Sequence, residues 1–98
     1  MPDKKLISII IPVFNEQENI PLIYERLLGV IGGLAEKYQT EIIFVDDGSY
    51  DKSPQVLEEI ANKDQTVKLI QFSRNFGKEI AVSAGLFTAN GQAVVMID

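Results

Sequence analysis

Two adjacent carboxylates, Asp46 and Asp47, stand between an apolar run at residues 42–45 and the pair Gly48-Ser49. The run is typical of a buried strand. Ligands of open α/β sheets bind outside the carboxyl ends of strands, where an acidic side chain can accept hydrogen bonds from ribose hydroxyls. The alternative is structural, because Asp-Gly is a common turn and Asp a common helix cap. Neighbouring carboxylates repel each other, which costs stability unless something uses them. We therefore predict that Asp46 or Asp47 binds a nucleotide.

The turn after the first apolar run carries Asn15 and Glu16, preceded by Pro12. It lacks the Gly-x-Gly-x-x-Gly sequence that lets a pyrophosphate approach a helix N-terminus in dinucleotide-binding redox folds. An amide and a carboxylate suit a base or a sugar hydroxyl better than a phosphate. The alternative is that both are ordinary turn and helix-start residues, and the sequence leaves the two readings about equal.

Two further polar strand ends follow along the chain. Arg74 and Lys78 come after the third apolar run, where cations could contact a diphosphate or stack on a base. The alternative is a solvated loop in which Gly77 provides backbone shape. Asp98 follows the fourth run. A carboxylate repels a diphosphate, but it can bind one through Mg²⁺ or Mn²⁺, which take oxygen ligands, so Asp98 is the candidate metal ligand.

Composition narrows the chemistry further. The 98 residues contain no cysteine and no histidine, which excludes thiol nucleophiles, histidine general bases and zinc sites built from either residue. A hydrophobic content of 46% fits one small globular domain. The net charge is −5 and the nine Lys and Arg residues are scattered, so a nucleic-acid partner is not expected. No apolar run approaches the roughly 20 residues of a membrane span.

Four apolar runs alternate with three helical patterns. The runs predict strands at 7–13, 42–45, 67–72 and 93–97, and the apolar spacing predicts helices from 19 or 20 to about 34, from a Ser53 cap onward, and from 78 to about 89. This order predicts an α/β fold with a parallel sheet and right-handed crossovers. The chain stops at the end of a strand, so we interpret it as the N-terminal piece of a longer protein.

Taken together, these loops resemble the family 2 glycosyltransferases, which have the GT-A fold. The resemblance covers almost the whole chain, through residues 10–16 (IIPVFNE), 45–49 (VDDGS), 74–78 (RNFGK) and the run from Gly85 through 89–91 (ANG) to 96–98 (MID), in that order. Residues 73–79 (SRNFGKE) are most similar to the polyprenyl-phosphate branch, which includes dolichyl-phosphate mannose synthases and bacterial undecaprenyl-phosphate glucosyltransferases.

The resemblance implies a Rossmann-like, mostly parallel sheet of order 3-2-1-4 with helices on both faces, as the N-terminal part of a GT-A fold. It implies transfer of a sugar from a UDP- or GDP-linked donor to an acceptor, a polyprenyl phosphate, on the cytoplasmic side of a membrane. By analogy Pro12, Asn15 and Glu16 line the nucleoside pocket, and Asp98 is the first carboxylate of an Asp-x-Asp motif for Mg²⁺ or Mn²⁺. Residues 1–98 then form the nucleotide-sugar-binding half of the domain, truncated at that Asp and expected to be inactive alone.

Two other classes of protein remain as alternatives. A receiver-like phosphoacceptor domain also gathers Asp residues at strand ends, but it expects an acidic pair after strand one and a phosphorylated Asp after strand three, where this chain has Pro12 and Arg74. A non-enzymatic interaction module is the second alternative. In the order 3-2-1-4 strands three and four are both edges, and exposed edges invite pairing, so we expect this piece to self-associate.

Overall fold

The computed structural model describes residues 4–97 and contains seven elements in strict alternation. They are β1 (Lys5–Val13), α1 (Ile20–Leu34), β2 (Tyr38–Asp46), α2 (Ser53–Lys63), β3 (Val67–Gln71), α3 (Lys78–Thr88) and β4 (Ala93–Met96). Every predicted element is present. The second strand begins four residues before the predicted position, because the polar segment from Tyr38 pairs with the start of β1 from Lys5 onward. Asp98 lies outside the described residues.

All strand pairs are parallel, and the sheet has the order β3-β2-β1-β4. This confirms the predicted fold class and strand order. Two crossovers carry the chain outward from β1 to β2 and then to β3. The third passes β2 and β1 and places β4 on the other side of β1. The direction of winding therefore reverses between β1 and β4, which creates a switch point at the carboxyl ends of these two strands.

Helices cover both faces of the sheet, as expected. On one face α1 and α2 bury Ile20, Leu27 and Leu57 against alternate residues of β1 and β2. On the other face Ala81 of α3 packs with a second set, Ile10, Ile43 and Val45. A Cβ on Gly85 would lie 2.5 Å from Cγ2 of Ile10, so glycine lets α3 sit close to β1. The period of two along each strand thus fixes which side chains each helix meets.

Of the two helix starts that proline marks in the sequence, only that of α2 differs in detail from the prediction. Pro21 and Pro54 occupy the first turns of α1 and α2, as expected for a residue without an N–H. Ser53, predicted as the cap of α2, is instead its first helical residue, and the cap position is Lys52. The Ser53 hydroxyl accepts a hydrogen bond from the backbone N–H of Glu16 at 2.9 Å, so it joins two loops and does not cap its own helix.

A network of hydrogen bonds and one ion pair surrounds the buried carboxylate of Glu41 at the amino end of the sheet. Glu41 is paired with Lys68 at 2.7 Å, and it accepts hydrogen bonds from the Ser8 hydroxyl at 2.5 Å and the Asn90 N–H at 2.8 Å. Burial raises the pKa of Glu41, but these donors more than offset it and bring the pKa below its ordinary value of 4.5. The network ties β1, β2 and β3 to the turn that precedes β4.

None of the helices within residues 4–97 combines the length and the apolar character needed to cross a membrane.

Candidate functional site

A cleft of about 520 Å³ opens at the switch point between β1 and β4. Its walls come from the end of β1, the first two turns of α1, the end of β2, the start of α3 and the residue after β4. The lining residues are Ile11, Pro12, Val13, Phe14, Glu16, Asn19, Leu22, Ile23, Arg26, Asp47, Lys78 and Ile97. Four of the predicted nucleotide-binding residues, Pro12, Glu16, Asp47 and Lys78, are therefore brought together.

Asp47 is the buried acceptor at the centre of this edge of the sheet. Its carboxylate accepts hydrogen bonds from the backbone N–H groups of Phe76 at 2.8 Å and Gly77 at 3.1 Å, and from the Asn75 side-chain amide at 3.1 Å. Gly77 directly precedes α3, so the carboxylate lies at a helix N-terminus, where the helix dipole favours negative charge. A carboxylate has about four acceptor positions, and hydrogen bonds from residues 75–77 occupy three of them.

Asp46 has a different environment, although it is adjacent in sequence. It is the last residue of β2 and only 2% exposed. One carboxylate oxygen accepts the backbone N–H of Ser49 at 3.0 Å, which closes the turn after the strand. Asp46 does not line the cleft. The sequence did not decide which of the two carboxylates contacts a ligand. In the structure Asp47 lines the cleft, whereas the Asp46 carboxylate accepts a hydrogen bond within the turn.

Asn15 joins the turn after β1 to the turn after β2. It adopts a left-handed backbone conformation, with φ of 50°, which Asn tolerates better than most residues. Its side-chain oxygen accepts the N–H of Tyr50 at 2.9 Å, and its own N–H donates to the Ser49 hydroxyl at 2.8 Å. The contacts that the structure gives Asn15 therefore go to the neighbouring loop, and it does not line the cleft.

A second set of hydrogen bonds strengthens the same junction. The N–H of Gln17 donates to Asp51 at 3.2 Å, while the Gln17 side chain accepts the N–H of Lys52 at 2.8 Å. Asp51 also accepts the Ser53 N–H at 2.8 Å. Burial acts to raise the pKa of Asp51, but the hydrogen bonds from Ser53 and Gln17 bring it below its ordinary value. The two loops thus form one unit that presents the Glu16 side chain to the cleft.

The two predicted cations, Arg74 and Lys78, lie in different places, and only Lys78 lines the cleft. The Arg74 guanidinium lies 4.7 Å from the centre of the Phe76 ring, which allows a cation–π contact, and Arg74 does not line the cleft. Lys78 is the first residue of α3 and does line it. A lysine at this position brings a positive charge to the wall of the cleft.

Sequence reasoning missed Arg26, together with Asn19 and Leu22, on the wall formed by α1. Asn19, Ile23 and Arg26 are spaced by four and three residues, which puts them on one face of a helix. That spacing was available in the sequence. It carries no hint of a site by itself, because the same pattern describes any amphipathic helix. That this part of α1 lines the cleft is visible only in the folded chain.

No group of three or more carboxylates within residues 4–97 is arranged to hold a metal ion. The predicted metal ligand, Asp98, is not among the described residues. Ile97, the residue before it, donates its N–H to the Ile10 carbonyl at 2.9 Å and lines the cleft.

A doubly wound parallel sheet with its cleft at the switch point defines a Rossmann-like α/β ligand-binding unit. The chain belongs to glycosyl transferase family 2, whose sequence profile matches residues 8–98. This membership confirms the resemblance seen in the strand-end motifs, and it favours the glycosyltransferase reading over a receiver-like phosphoacceptor.

Relatives with curated names point the same way. The chain is 47% identical over 91 residues to an uncharacterized glycosyltransferase of Bacillus subtilis, YkcC, covering 93% of this chain and 28% of that protein. It is 42% identical over 92 residues to the bactoprenol glucosyl transferase of Shigella phage SfV, covering 94% of this chain and 29% of that protein. The chain therefore spans less than a third of the length of these relatives.

Solved structures of glycosyltransferases have the same fold over this part. The mannosyltransferase PcManGT from Pyrobaculum calidifontis, determined in complex with GDP-Man and Mn²⁺, superimposes with a TM-score of 0.71 at 26% identity, covering 94% of this chain and 26% of that one. TarS 1–349 of S. aureus superimposes with a TM-score of 0.79 at 28% identity, again covering 94% and 26%. The sheet is thus a GT-A-type sheet.

Proposed function

We propose that this chain supplies the nucleotide-sugar-binding part of a glycosyltransferase that moves a sugar from a UDP- or GDP-linked donor to a polyprenyl phosphate. The observation that carries the proposal is the convergence of Glu16, Asp47 and Lys78 on one cleft at the switch point. Family membership supports sugar transfer, and relatives named bactoprenol glucosyl transferases support a lipid acceptor. Residues 1–98 are proposed as the N-terminal half of the domain, up to the first carboxylate of the metal motif.

The lining residues divide into two groups by chemistry. Pro12, Glu16 and Asp47 face the nucleoside in this proposal. Asp47 has one acceptor position beyond the three that residues 75–77 occupy, enough for a single N–H or O–H of a base or ribose. Lys78 is assigned to the diphosphate, because it lines the cleft and an ammonium group can pair with phosphate oxygens. Asn15, Asp46 and Arg74, the other expected nucleotide contacts, act in this proposal by fixing the loops around the cleft.

A divalent metal, Mg²⁺ or Mn²⁺, is proposed as the cofactor, with Asp98 as its ligand from this chain. The neighbour solved with GDP-Man and Mn²⁺ supports this assignment. The donor set is of the right kind, since a carboxylate and diphosphate oxygens are the hard ligands that these ions take. When bound, the metal would neutralise charge on the leaving diphosphate. The acceptor phosphate is already ionised at neutral pH, so its attack needs less help from a general base than an alcohol would.

Two properties of the whole reaction follow from the proposal. The parent protein would work on the cytoplasmic side of a membrane, where a lipid phosphate meets a nucleotide sugar. The 98-residue chain by itself would bind donor but not complete transfer, since one metal-motif carboxylate and the donor cleft do not include an acceptor site. Separately from the reaction, we propose that this chain self-associates through an exposed edge strand of its sheet.

The proposal is tested by following backbone amide shifts of the 98-residue chain by NMR during titration with UDP, GDP or NAD, each with and without Mg²⁺. We expect UDP or GDP to shift the amides of Phe14, Glu16, Asp47 and Lys78. Lys78→Ala should weaken that response at least tenfold. Lys63→Ala, which removes the same charge at the far end of α2, should leave it unchanged.

Each outcome has a defined meaning. Shifts that cluster at these residues with one nucleotide support the donor site and identify the base. A response to NAD alone, or equal losses in the Lys78 and Lys63 variants, overturns the assignment. A well-dispersed spectrum that responds to none of the three nucleotides at millimolar concentration overturns the claim that this chain binds the donor by itself.

A further inference from the structure

Three consecutive backbone N–H groups in the turn after β1 donate to side chains of the loop after β2. The nitrogen–oxygen pairs are Asn15 with the Ser49 hydroxyl (2.8 Å), Glu16 with the Ser53 hydroxyl (2.9 Å) and Gln17 with the Asp51 carboxylate (3.2 Å). The turn therefore presents a row of donors, and side-chain oxygens of one neighbouring loop accept from every member of the row.

Asp51 occupies the position that an anion would take at this junction. One carboxylate oxygen accepts the N–H of Gln17, the other accepts the N–H of Ser53 at 2.8 Å, and the Ser53 hydroxyl also bonds to this carboxylate. Ser53 is the first residue of α2, and a helix N-terminus favours a negative charge. Three donors from two loops thus surround one carboxylate, in the way that backbone N–H groups surround a phosphate elsewhere.

The turn after the first strand is where dinucleotide-binding folds hold a pyrophosphate, through backbone N–H groups. In this chain the N–H groups of residues 15–17 already have acceptors, so a phosphate would have to displace them. It would also meet the negative charge of Asp51, which repels an anion. The missing Gly-x-Gly-x-x-Gly sequence thus has a structural counterpart, because the chain's own oxygens take the place of phosphate.

We propose that Asp51, together with Ser49 and Ser53, closes the turn after β1 to phosphate and so directs the two halves of the donor. This inference rests on the donor site proposed above. Glu16 lines the cleft, but its N–H is bonded to Ser53 and is not available to a phosphate. The nucleoside is then the part of the donor that contacts this turn, and the diphosphate is confined to the wall that carries Lys78.

Ser53 acts in this arrangement as a positioning residue for Glu16. Its side chain is fully buried, and its oxygen accepts the Glu16 N–H at 2.9 Å. Ser53→Ala leaves that N–H without its acceptor and frees the backbone next to a side chain that lines the cleft. We expect Ser53→Ala to weaken UDP or GDP binding by about tenfold, and Ser53→Thr, which keeps the hydroxyl, to bind within about twofold of the unchanged chain.

Removal of the carboxylate tests the closed turn directly. Asp51→Ala leaves the donors of Gln17 and Ser53 around a position that is partly exposed to solvent. We expect millimolar inorganic phosphate, at an ionic strength held constant with sodium chloride, to shift the amides of Gln17 and Ser53 in the NMR spectrum of this variant. In the unchanged chain the same titration should leave both amides in place.

Glu58→Ala is the matched control for the change in net charge. It removes one carboxylate from the exposed side of α2, away from the junction. Phosphate should therefore shift neither Gln17 nor Ser53 in this variant. Urea denaturation of each variant measures the structural cost separately, and a purely structural role of Asp51 predicts lost stability without any new response to phosphate.

The phosphate titration involves no nucleotide, so the closed turn and the donor site are decided separately. Phosphate shifts at residues 15–17 of the unchanged chain would overturn the inference, even if UDP or GDP binds as proposed. The lack of a phosphate response in a folded Asp51→Ala variant would overturn it as well. A chain that binds no nucleotide, yet gains the phosphate response in Asp51→Ala, would refute the donor site and support the closed turn.

Discussion

The carboxylate of Asp47 accepts the backbone N–H of Phe76 at 2.8 Å, across 29 residues of sequence. This contact fastens the end of β2 to the loop that leads into α3. The same loop carries Arg74 and ends one residue before Lys78. The positions of both cations therefore depend on Asp47, which the sequence predicted as a contact to the nucleotide. Asp47 thus lines the cleft and also fixes the loop between β3 and α3.

Replacing Asp47 with Asn should destabilise the fold, because one carboxylate oxygen becomes an amide group that cannot accept a hydrogen bond. We expect the free energy of unfolding to fall by about 1–3 kcal/mol, measured by urea denaturation at neutral pH. The amides of Phe76 and Gly77 should show the largest shift changes by NMR. Glu58→Asn, an acidic position on the exposed side of α2, is the control and should leave the midpoint nearly unchanged.

Gly48 should tolerate no side chain. Its φ is +73°, and a Cβ would lie 2.1 Å from the Arg74 carbonyl carbon and 2.3 Å from the Asn75 nitrogen. Both obstacles are backbone, so the loop between β3 and α3 would have to move. We expect Gly48→Ala to destabilise the fold by about 3 kcal/mol or more, from strain and overpacking combined, and to displace the amides of residues 73–77.

Gly29 provides the matched control for that substitution. It lies inside α1, and a Cβ there would meet nothing within 4 Å. Gly29→Ala should therefore stabilise the helix by about 0.5–1 kcal/mol. Thermal melting of the two variants side by side checks the pair, and equal effects on the melting temperature would show that the Gly48 contacts are not as close as described.

Because of Glu41, the free energy of unfolding should fall as the pH is lowered into the acid range. Its pKa is lower in the folded state than the ordinary value of 4.5, so its contribution is present above about pH 4.5 and is lost as the pH falls through the folded-state pKa. Glu41→Gln keeps the shape but removes the charge, and we expect a loss of about 1–3 kcal/mol at pH 7. The difference between the two proteins should shrink below pH 4.5 in urea denaturation, since the other carboxylates are common to both. A difference that stays constant down to pH 3 would contradict this.

Because of Tyr24, the free energy of unfolding should fall as the pH is raised into the alkaline range. Burial, helped by its hydrogen bond to Asp64 at 2.5 Å and by the charge of that residue, raises the pKa of Tyr24 to about 12. The contribution is therefore present below pH 10 and is lost as the pH rises from 10 towards 12. We expect Tyr24→Phe to cost about 0.5–1.5 kcal/mol at pH 7, and the difference from the unchanged chain to disappear above pH 12. Tyr50→Phe, at an exposed position, is the control and should leave the free energy of unfolding at pH 7 nearly unchanged.

Much of the fold followed from the sequence alone. Continuous apolar runs such as residues 42–45 indicated strands buried on both faces, and Pro21 and Pro54 marked helix starts, because these signals depend on neighbours along the chain. The beginning of β2 at Tyr38 did not follow, since a polar segment becomes a strand only when a partner strand, here the start of β1, satisfies its backbone groups.

The features of the candidate site also divide into those that the sequence predicts and those that only the tertiary structure decides. Residue type and position at strand ends determined that Pro12, Glu16, Asp47 and Lys78 belong to one edge of the sheet, because parallel strands bring their carboxyl ends together. Only the tertiary structure decided which of two adjacent carboxylates reaches the cleft. Along a strand successive side chains point to opposite faces, and the turn after β2 directs Asp46 to Ser49 and Asp47 to the loop before α3. The role of Asn15 in joining two loops, and of Arg26 in lining the cleft, likewise arises from contacts between segments that the sequence keeps apart.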